Sequence, residues 1–356
     1  MSRIYLDHAA TTPLRPEAKA AMEEGFRIWA NPSSPHAEGR KARAALEDAR
    51  ERIKVALGWE GELIFTSGAS EAAALALAQS RASERLVSAV EHDAVLQAAR
   101  GAPQLPVGPD GALLIDQLES ALDKASDPLV AVQWFNSETG NAQNLGDIID
   151  CVHDRDGTVL VDCAQSVGKY PLPHEADMVV LSAHKFGGPI GIGALLVRDY
   201  AMLEATGGHE RGYRRGTENL PGVLGMAAAL ELGGQHQYLP EGVYEALRLG
   251  LNRIRDAGGT LISDQLDAPT GYIHAVSMPG IGASAQVMRF DLAGIAVSQG
   301  SACSSGTMKV SRVLQAMAVE PEIAANTIRV SIGWNTSIEE VERFCEVWLD
   351  MARAAA

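Results

Sequence analysis

Residues 158–188 read "TVLVDCAQSVGKYPLPHEADMVVLSAHKFGG", two short apolar runs that each end in polar, chemically capable residues. The first, "TVLVD", stops at Asp162, with Gln165 close behind. The second, "MVVLS", stops at Ser182, followed by His184, Lys185 and a Gly-Gly pair. A strand that is apolar at nearly every position is covered on both faces, which is the habit of parallel sheets. The same kind of run recurs as "ELIFT" (62–66), "RLVSAV" (85–90), "LVAVQWF" (129–135) and "GALLV" (193–197). Between them, pieces such as "SEAAALALAQS" and "LGDIIDCVHDRDG" follow a helical pattern. Short buried strands alternating with helices predict an α/β protein with a mostly parallel sheet.

Residues 36–57 predict a long amphipathic helix with charges of both signs. After residue 235 the pattern changes: the long helical stretches "EGVYEALRLGLNRIRDAG" and "SIEEVERFCEVWLDMARA" bracket strand-like "GYIHAVSM" and "TIRVSIG". That reads as a smaller α/β domain, with the boundary near "GGQHQYLPEG". A chain of 356 residues makes two domains the default. With 30 Lys+Arg against 45 Asp+Glu the net charge is −15, which argues against nucleic acid or an anionic membrane as direct partner. No segment has the uninterrupted apolar length of a membrane span. The cysteines (Cys151, Cys163, Cys303, Cys345) have neither C-x-x-C nor metal-ligand spacing. Free thiols and a cytoplasmic setting are the expectation.

In open parallel α/β sheets ligands bind beyond the carboxyl ends of the strands. There the sequence places "SGASE" (67–71), Glu91-His92, Asn136-Ser137-Glu138, Asp162 with Gln165, and Ser182 with His184 and Lys185. "SGASE" is either an ordinary helix cap or a phosphate seat, since a helix N-terminus offers free N–H groups. Asp162 is either a turn residue or a buried carboxylate that needs a cationic partner. Lys185, straight after a very apolar strand, is harder to read as a surface lysine. One cofactor fits the set. Pyridoxal phosphate needs a lysine for its Schiff base, an acidic partner for its ring nitrogen and an anion site for its phosphate.

Ten stretches, in order, carry a family resemblance: "YLDHAATTP", "NPSSPHAEGR", "FTSGASE", "VEHDAVL", "NSETG", "VDCAQSVGK", "SAHKFGGPIGIGAL", "GGHERGYRRGTEN", "GSACSS" and "IRVSIG". From residue 4 to about 350 the chain resembles cysteine desulfurases of the NifS/IscS type, within the class V aminotransferase group. The resemblance implies the fold-type I pyridoxal-phosphate fold working as a homodimer. It implies a large domain at 15–237 with a mostly parallel sheet, and a small domain joining 1–14 to 238–356. It also implies the roles. Lys185 resembles the Schiff-base lysine, Asp162 the partner of the ring nitrogen, and Gln165 a partner of the ring hydroxyl. His92 would stack on the ring and shuttle protons. Ala69, Ser70, Ser182 and His184 match phosphate-binding positions. Thr217 matches a phosphate ligand given by the partner subunit. Arg329 resembles the clamp for the substrate carboxylate, with Asn31 near the substrate. Cys303 matches the thiol that takes sulfur from L-cysteine as a persulfide, leaving L-alanine. The sulfur then passes to an acceptor protein of the iron–sulfur scaffold or tRNA-thiolation kind.

Ser137 replaces the family's usual asparagine, so its cofactor contact is lost, bridged by water, or assumed by Asn136. Cys303 sits in "SQGSACSSGTMK", where small polar neighbours give the thiol nothing to pack against; this predicts a mobile loop around 301–308. Two alternatives remain: a lyase acting directly on its substrate, which would not need Cys303, and a catalytically silent scaffold.

Overall fold

The computed structural model describes residues 3–232, 238–300 and 311–355. The central sheet has seven strands: β2 (Glu62–Thr66), β3 (Glu84–Ser88), β4 (Gln104–Leu105), β5 (Pro128–Gln133), β6 (Thr158–Asp162), β7 (Met178–Ser182) and β8 (Gly193–Val197), in the order β2-β8-β7-β6-β5-β3-β4. β8 runs antiparallel to both its neighbours, and every other pairing is parallel. The chain is thus a mostly parallel α/β protein. Its strands read as continuous apolar runs because alternate residues feed two cores. Phe65, Val130, Val132, Val159, Val161, Val179 and Leu181 belong to one core. Their neighbours Ile64, Leu129, Ala131, Leu160, Met178 and Val180 belong to the core on the other face.

Local signals start and stop the helices. The helices α1 (Pro16–Ile28) and α2 (Ala37–Leu57) precede β2. His36 Nδ1 caps α2 by accepting the Gly39 N–H at 3.2 Å, and Gly58 ends it in the left-handed region at φ 64°. β2 leads through Gly68 into α3 (Ala69–Gln79), and β3 leads into α4 (Asp93–Ala98). Gly193 at the start of β8 must be glycine, because a Cβ there would lie 2.5 Å from the Leu181 carbonyl and 2.7 Å from Gly68 Cα. That close approach sets the turn before α3 directly against the end of β7.

A third core unites residues distant in sequence: Leu6 with Val243, Leu247, Ile254, Phe290, Ile328, Phe344 and Trp348. Here the antiparallel strands β9 (Thr260–Leu261), β10 (Ile273–Ser277) and β12 (Thr327–Ser331) lie in the order β12-β10-β9. The N-terminal strand β1 (Ile4–Tyr5) pairs in parallel with β11 (Ile295–Ala296). The border with the first core is shared, since Ile262, Leu266, Ala275 and Val313 pack into the large sheet's core. Among the described residues, no helix is long and apolar enough to cross a membrane.

Candidate active site

The carboxyl ends of β3, β5, β6 and β7 open into a cavity of about 850 Å³. Each strand end delivers polar groups there, and local turns fix them. β6 ends at Asp162, whose Oδ1 accepts the Ala164 N–H at 2.8 Å. β7 ends at Ser182, after which one 3-10 turn (Ala183–Lys185) swings Lys185 into the same space. β3 is followed by His92, which caps α4 by accepting the Ala94 N–H on Nδ1 at 3.2 Å. That bond leaves Nε2 as the nitrogen free to carry a proton toward the cavity.

The N-terminal segment closes the cavity. Lys185 Nζ donates to the Ala9 and Ala10 carbonyls at 2.7 and 3.0 Å. The Ala9 carbonyl also accepts from Gln165 Nε2 at 2.9 Å. Gln165 is steadied from behind: its own carbonyl accepts from Lys169 Nζ at 2.9 Å and from the Tyr272 hydroxyl at 2.8 Å. Lys169 Nζ lies over the rings of Tyr238 and Tyr272 at 5.0 and 4.8 Å. Arg329, on β12 and buried, donates from Nη1 to the Ser137 carbonyl at 2.8 Å and pairs through Nη2 with Asp7 at 2.8 Å.

The electrostatics of this site favour nucleophilic and proton-transfer chemistry. Burial, then the Arg329 charge, pulls the Lys185 amine down to about 8, although Asp162 and Asp7 oppose the shift. Burial, then Lys185 and Lys169, holds His184 at about 4, so its ring is neutral, with Nδ1 3.1 Å from the Thr11 hydroxyl. Burial also pushes the Asp162 carboxyl up, opposed by the Ala164 N–H, His92 and Lys185. A carboxyl in that position gains from a cation placed against it.

The structure brings Ala69, Ser70, His92, Ser137, Asp162, Gln165, Ser182, His184, Lys185 and Arg329 to this one cavity. Asn31 and Thr217 do not line it and are solvent-exposed. Their segments nevertheless meet: Ser33 Oγ lies 3.5 Å from His209 Nδ1, and His209 pairs with Glu218 at 3.2 Å. Cys303, with the 301–308 loop read above as mobile, lies outside the described residues. The other three cysteines are buried free thiols. One question about Ser137 closes. Asn136 Oδ1 accepts the Glu138 and Thr139 N–H groups, both at 2.9 Å, and its Nδ2 donates to the Val90 carbonyl. Asn136 is therefore occupied in its own turn. Four cavity neighbours were given no role from sequence: Asp7, Glu91, Glu138 and Lys169. Each stands in or beside a quoted motif, but burial of these charges depends on distant chain segments.

Pyridoxal phosphate suits this donor set. α3 begins beside Ser182, and its first N–H groups have no partners within the helix. A side chain on Gly68 would fill that cradle, with its Cβ 3.5 Å from Ser182 Oγ. Asp162 is a carboxyl in want of a cation, and Lys185 is an amine partly unprotonated near neutral pH. The fold and these groups together define a lysine-centred α/β enzyme site.

Residues 4–344 match the aminotransferase class-V family, and the chain belongs to it. The chain is similar to a cysteine desulfurase of Cereibacter sphaeroides, 38% identical over an alignment 374 positions long that covers 98% of this chain and 95% of that one. Among solved structures it is similar to a NifS-like protein, with a TM-score of 0.85, 29% identity, and coverage of 99% and 100% of the two chains. It is also similar to SspA in complex with cysteine, with a TM-score of 0.79, 28% identity, and coverage of 94% and 100%.

Proposed function

We propose that this protein is a pyridoxal-phosphate-dependent cysteine desulfurase. It would convert L-cysteine to L-alanine and leave the sulfur as a persulfide on Cys303. The carrying observation is Lys185, an amine held near 8, in one cavity with Asp162 and Arg329. The match to a cysteine desulfurase over nearly the full chain supports the reading, as does the likeness to a protein solved with cysteine.

Lys185 would carry the cofactor, Asp162 would face its ring nitrogen, and Gln165 its ring hydroxyl. Ala69, Ser70, Ser182 and His184 would hold its phosphate. Bound there, the group supplies an electron sink for the substrate's α-carbon. The rest falls to the protein. Arg329 holds the substrate carboxylate with a planar fork that Asp7 and the Ser137 carbonyl already keep aligned. Lys185, neutral in a useful fraction, takes and returns the α-proton, and His92 Nε2 relays a proton at the exposed side. Cys303, as thiolate, accepts the sulfur and passes it to an acceptor protein serving iron–sulfur or other thio-cofactor synthesis.

The same proposal includes two domains, 15–237 seating the cofactor and 1–14 with 238–356 supplying Arg329 and Cys303. It includes a homodimer in which Thr217 reaches the partner's phosphate site. The exposure of Thr217 and its absence from the lining of its own chain's cavity favour that arrangement. A cytoplasmic site of action suits the buried free thiols. The test is incubation of the pyridoxal-phosphate-loaded protein with L-cysteine, reading alanine and the mass of the Cys303 peptide. Equimolar alanine and a one-sulfur mass gain are expected. A protein that never binds the cofactor, or releases no alanine, overturns the reading.

A further inference from the structure

Glu91 follows β3 and is only 1% exposed. Its Oε1 accepts the Gln133 backbone N–H at 2.6 Å. Its Oε2 is sealed from solvent and has no hydrogen-bond partner among the described residues. Gln133 is the register partner of Asp162 across β5 and β6, so the two carboxyl groups stand at one end of the sheet. Both residues line the cavity.

The ionisable groups around Glu91 come from three elements. Asp162 faces it from β6, and His92 is its chain neighbour at the start of α4. Arg312 approaches from the helix Arg312–Ala316, but its Nη2 donates to the Glu91 main-chain carbonyl and pairs with Asp93. Among the described residues the Glu91 carboxyl therefore has one neutral donor, no cation in contact, and a second carboxyl nearby. Ionising it would bury a charge that little compensates. The direction agrees: burial first, then Asp162, raises Glu91 well above the usual carboxyl range, against the pull of the Gln133 N–H and Arg312.

We propose that Glu91 is a neutral carboxylic acid built into the cavity wall, so that Asp162 is the one carboxylate presented to a cationic ring lying against it. One negative charge matches a singly charged pyridinium, whereas two adjacent carboxylates would share a proton and blur that match. Glu91 is thus a positioning residue that acts through Asp162. Naming the ring as pyridoxal phosphate rests on the function proposed above; the protonation of Glu91 does not.

The experiment begins on the cofactor-free full chain, comparing wild type with Glu91→Gln by infrared difference spectroscopy. The expected result is a protonated-carboxyl carbonyl band near neutral pH, absent from Glu91→Gln. In Asp162→Asn the band should vanish at a lower pH than in wild type, because the neighbouring negative charge is gone. Glu91→Gln should also bind pyridoxal phosphate within about twofold of wild type across mildly acid to mildly alkaline pH. An ionised Glu91 would predict a loss of about tenfold or more as a carboxylate beside the cation is removed. A missing band, a band insensitive to Asp162→Asn, or a pH-dependent tenfold loss overturns the proposal. If the band behaves as expected but no variant binds pyridoxal phosphate, the Glu91 assignment stands and the functional reading falls.

Discussion

The Lys185 amine sets the sharpest quantitative test. With a midpoint of about 8 instead of 10.5, its neutral fraction near pH 7 is about 9% rather than about 0.03%, an enrichment of roughly three hundredfold. Competitive labelling of the cofactor-free protein with an amine-reactive reagent, read on the Lys185 peptide against surface lysines, measures this directly. Two variants should move the midpoint in opposite directions. Arg329→Gln removes a repelling cation and should raise it, while Asp162→Asn removes an attracting anion and should lower it. The depressed midpoint also links to stability. The folded state binds the Lys185 proton less readily than the unfolded chain does. A penalty of about 3 kcal/mol is therefore fully present below pH 8 and fades as pH rises toward 10.5. Lys185→Met should then leave the cofactor-free protein's stability less dependent on pH over that alkaline window. A Lys185 midpoint above pH 10, or one indifferent to both variants, would refute the electrostatic account.

Three further outcomes are expected. Cys303→Ser should abolish the persulfide and slow alanine formation at least about hundredfold, a barrier increase of about 2.7 kcal/mol; undiminished sulfide release with a reductant would favour a lyase acting without this thiol. Thr217→Ala should weaken cofactor affinity about two- to tenfold, the effect of one hydrogen bond, in a binding titration; an unchanged affinity removes the cross-subunit contact. Phe290→Ala deletes a fully buried ring stacked on Phe344 at 5.1 Å and should destabilise the third core by about 3–5 kcal/mol in denaturant unfolding, and a loss under about 1.5 kcal/mol would mean that the core collapses around the gap.

The large sheet was legible because of how it is buried. A strand sandwiched between two cores cannot hide its identity, and Leu129 to Val132 or Val159 to Val161 carry no polar residue to confuse the pattern. The charged groups that end such strands stand out for the same reason, which is why Asp162 and Lys185 could be found from residues alone. Asn31 and Thr217 carried no such local signal. Both lie on exposed segments, and only motif resemblance marked them.

What stayed hidden is the long-range wiring of the site. The Ala9 carbonyl has no sequence signature, yet it accepts from both Gln165 and Lys185, residues more than 150 positions away. Lys169 reads as a turn lysine until Tyr238 and Tyr272 close over it. Glu91 reads as half of a Glu-His pair, of which only the histidine suggests chemistry. In each case an ordinary residue is made unusual by burial, and burial is contributed by segments brought in from the other end of the chain. The reactive lysine follows the same logic. Its depressed midpoint comes first from burial, to which the N-terminal segment contributes by placing the Ala9 and Ala10 carbonyls against Nζ, and then from Arg329, which belongs to β12; Asp7 opposes it. The Lys185 midpoint thus depends on the N-terminal segment and β12 as well as on the large sheet. Folding of the third core and the Lys185 midpoint are therefore coupled, and a variant that loosens Leu6 or Phe290 should raise that midpoint without touching the cavity.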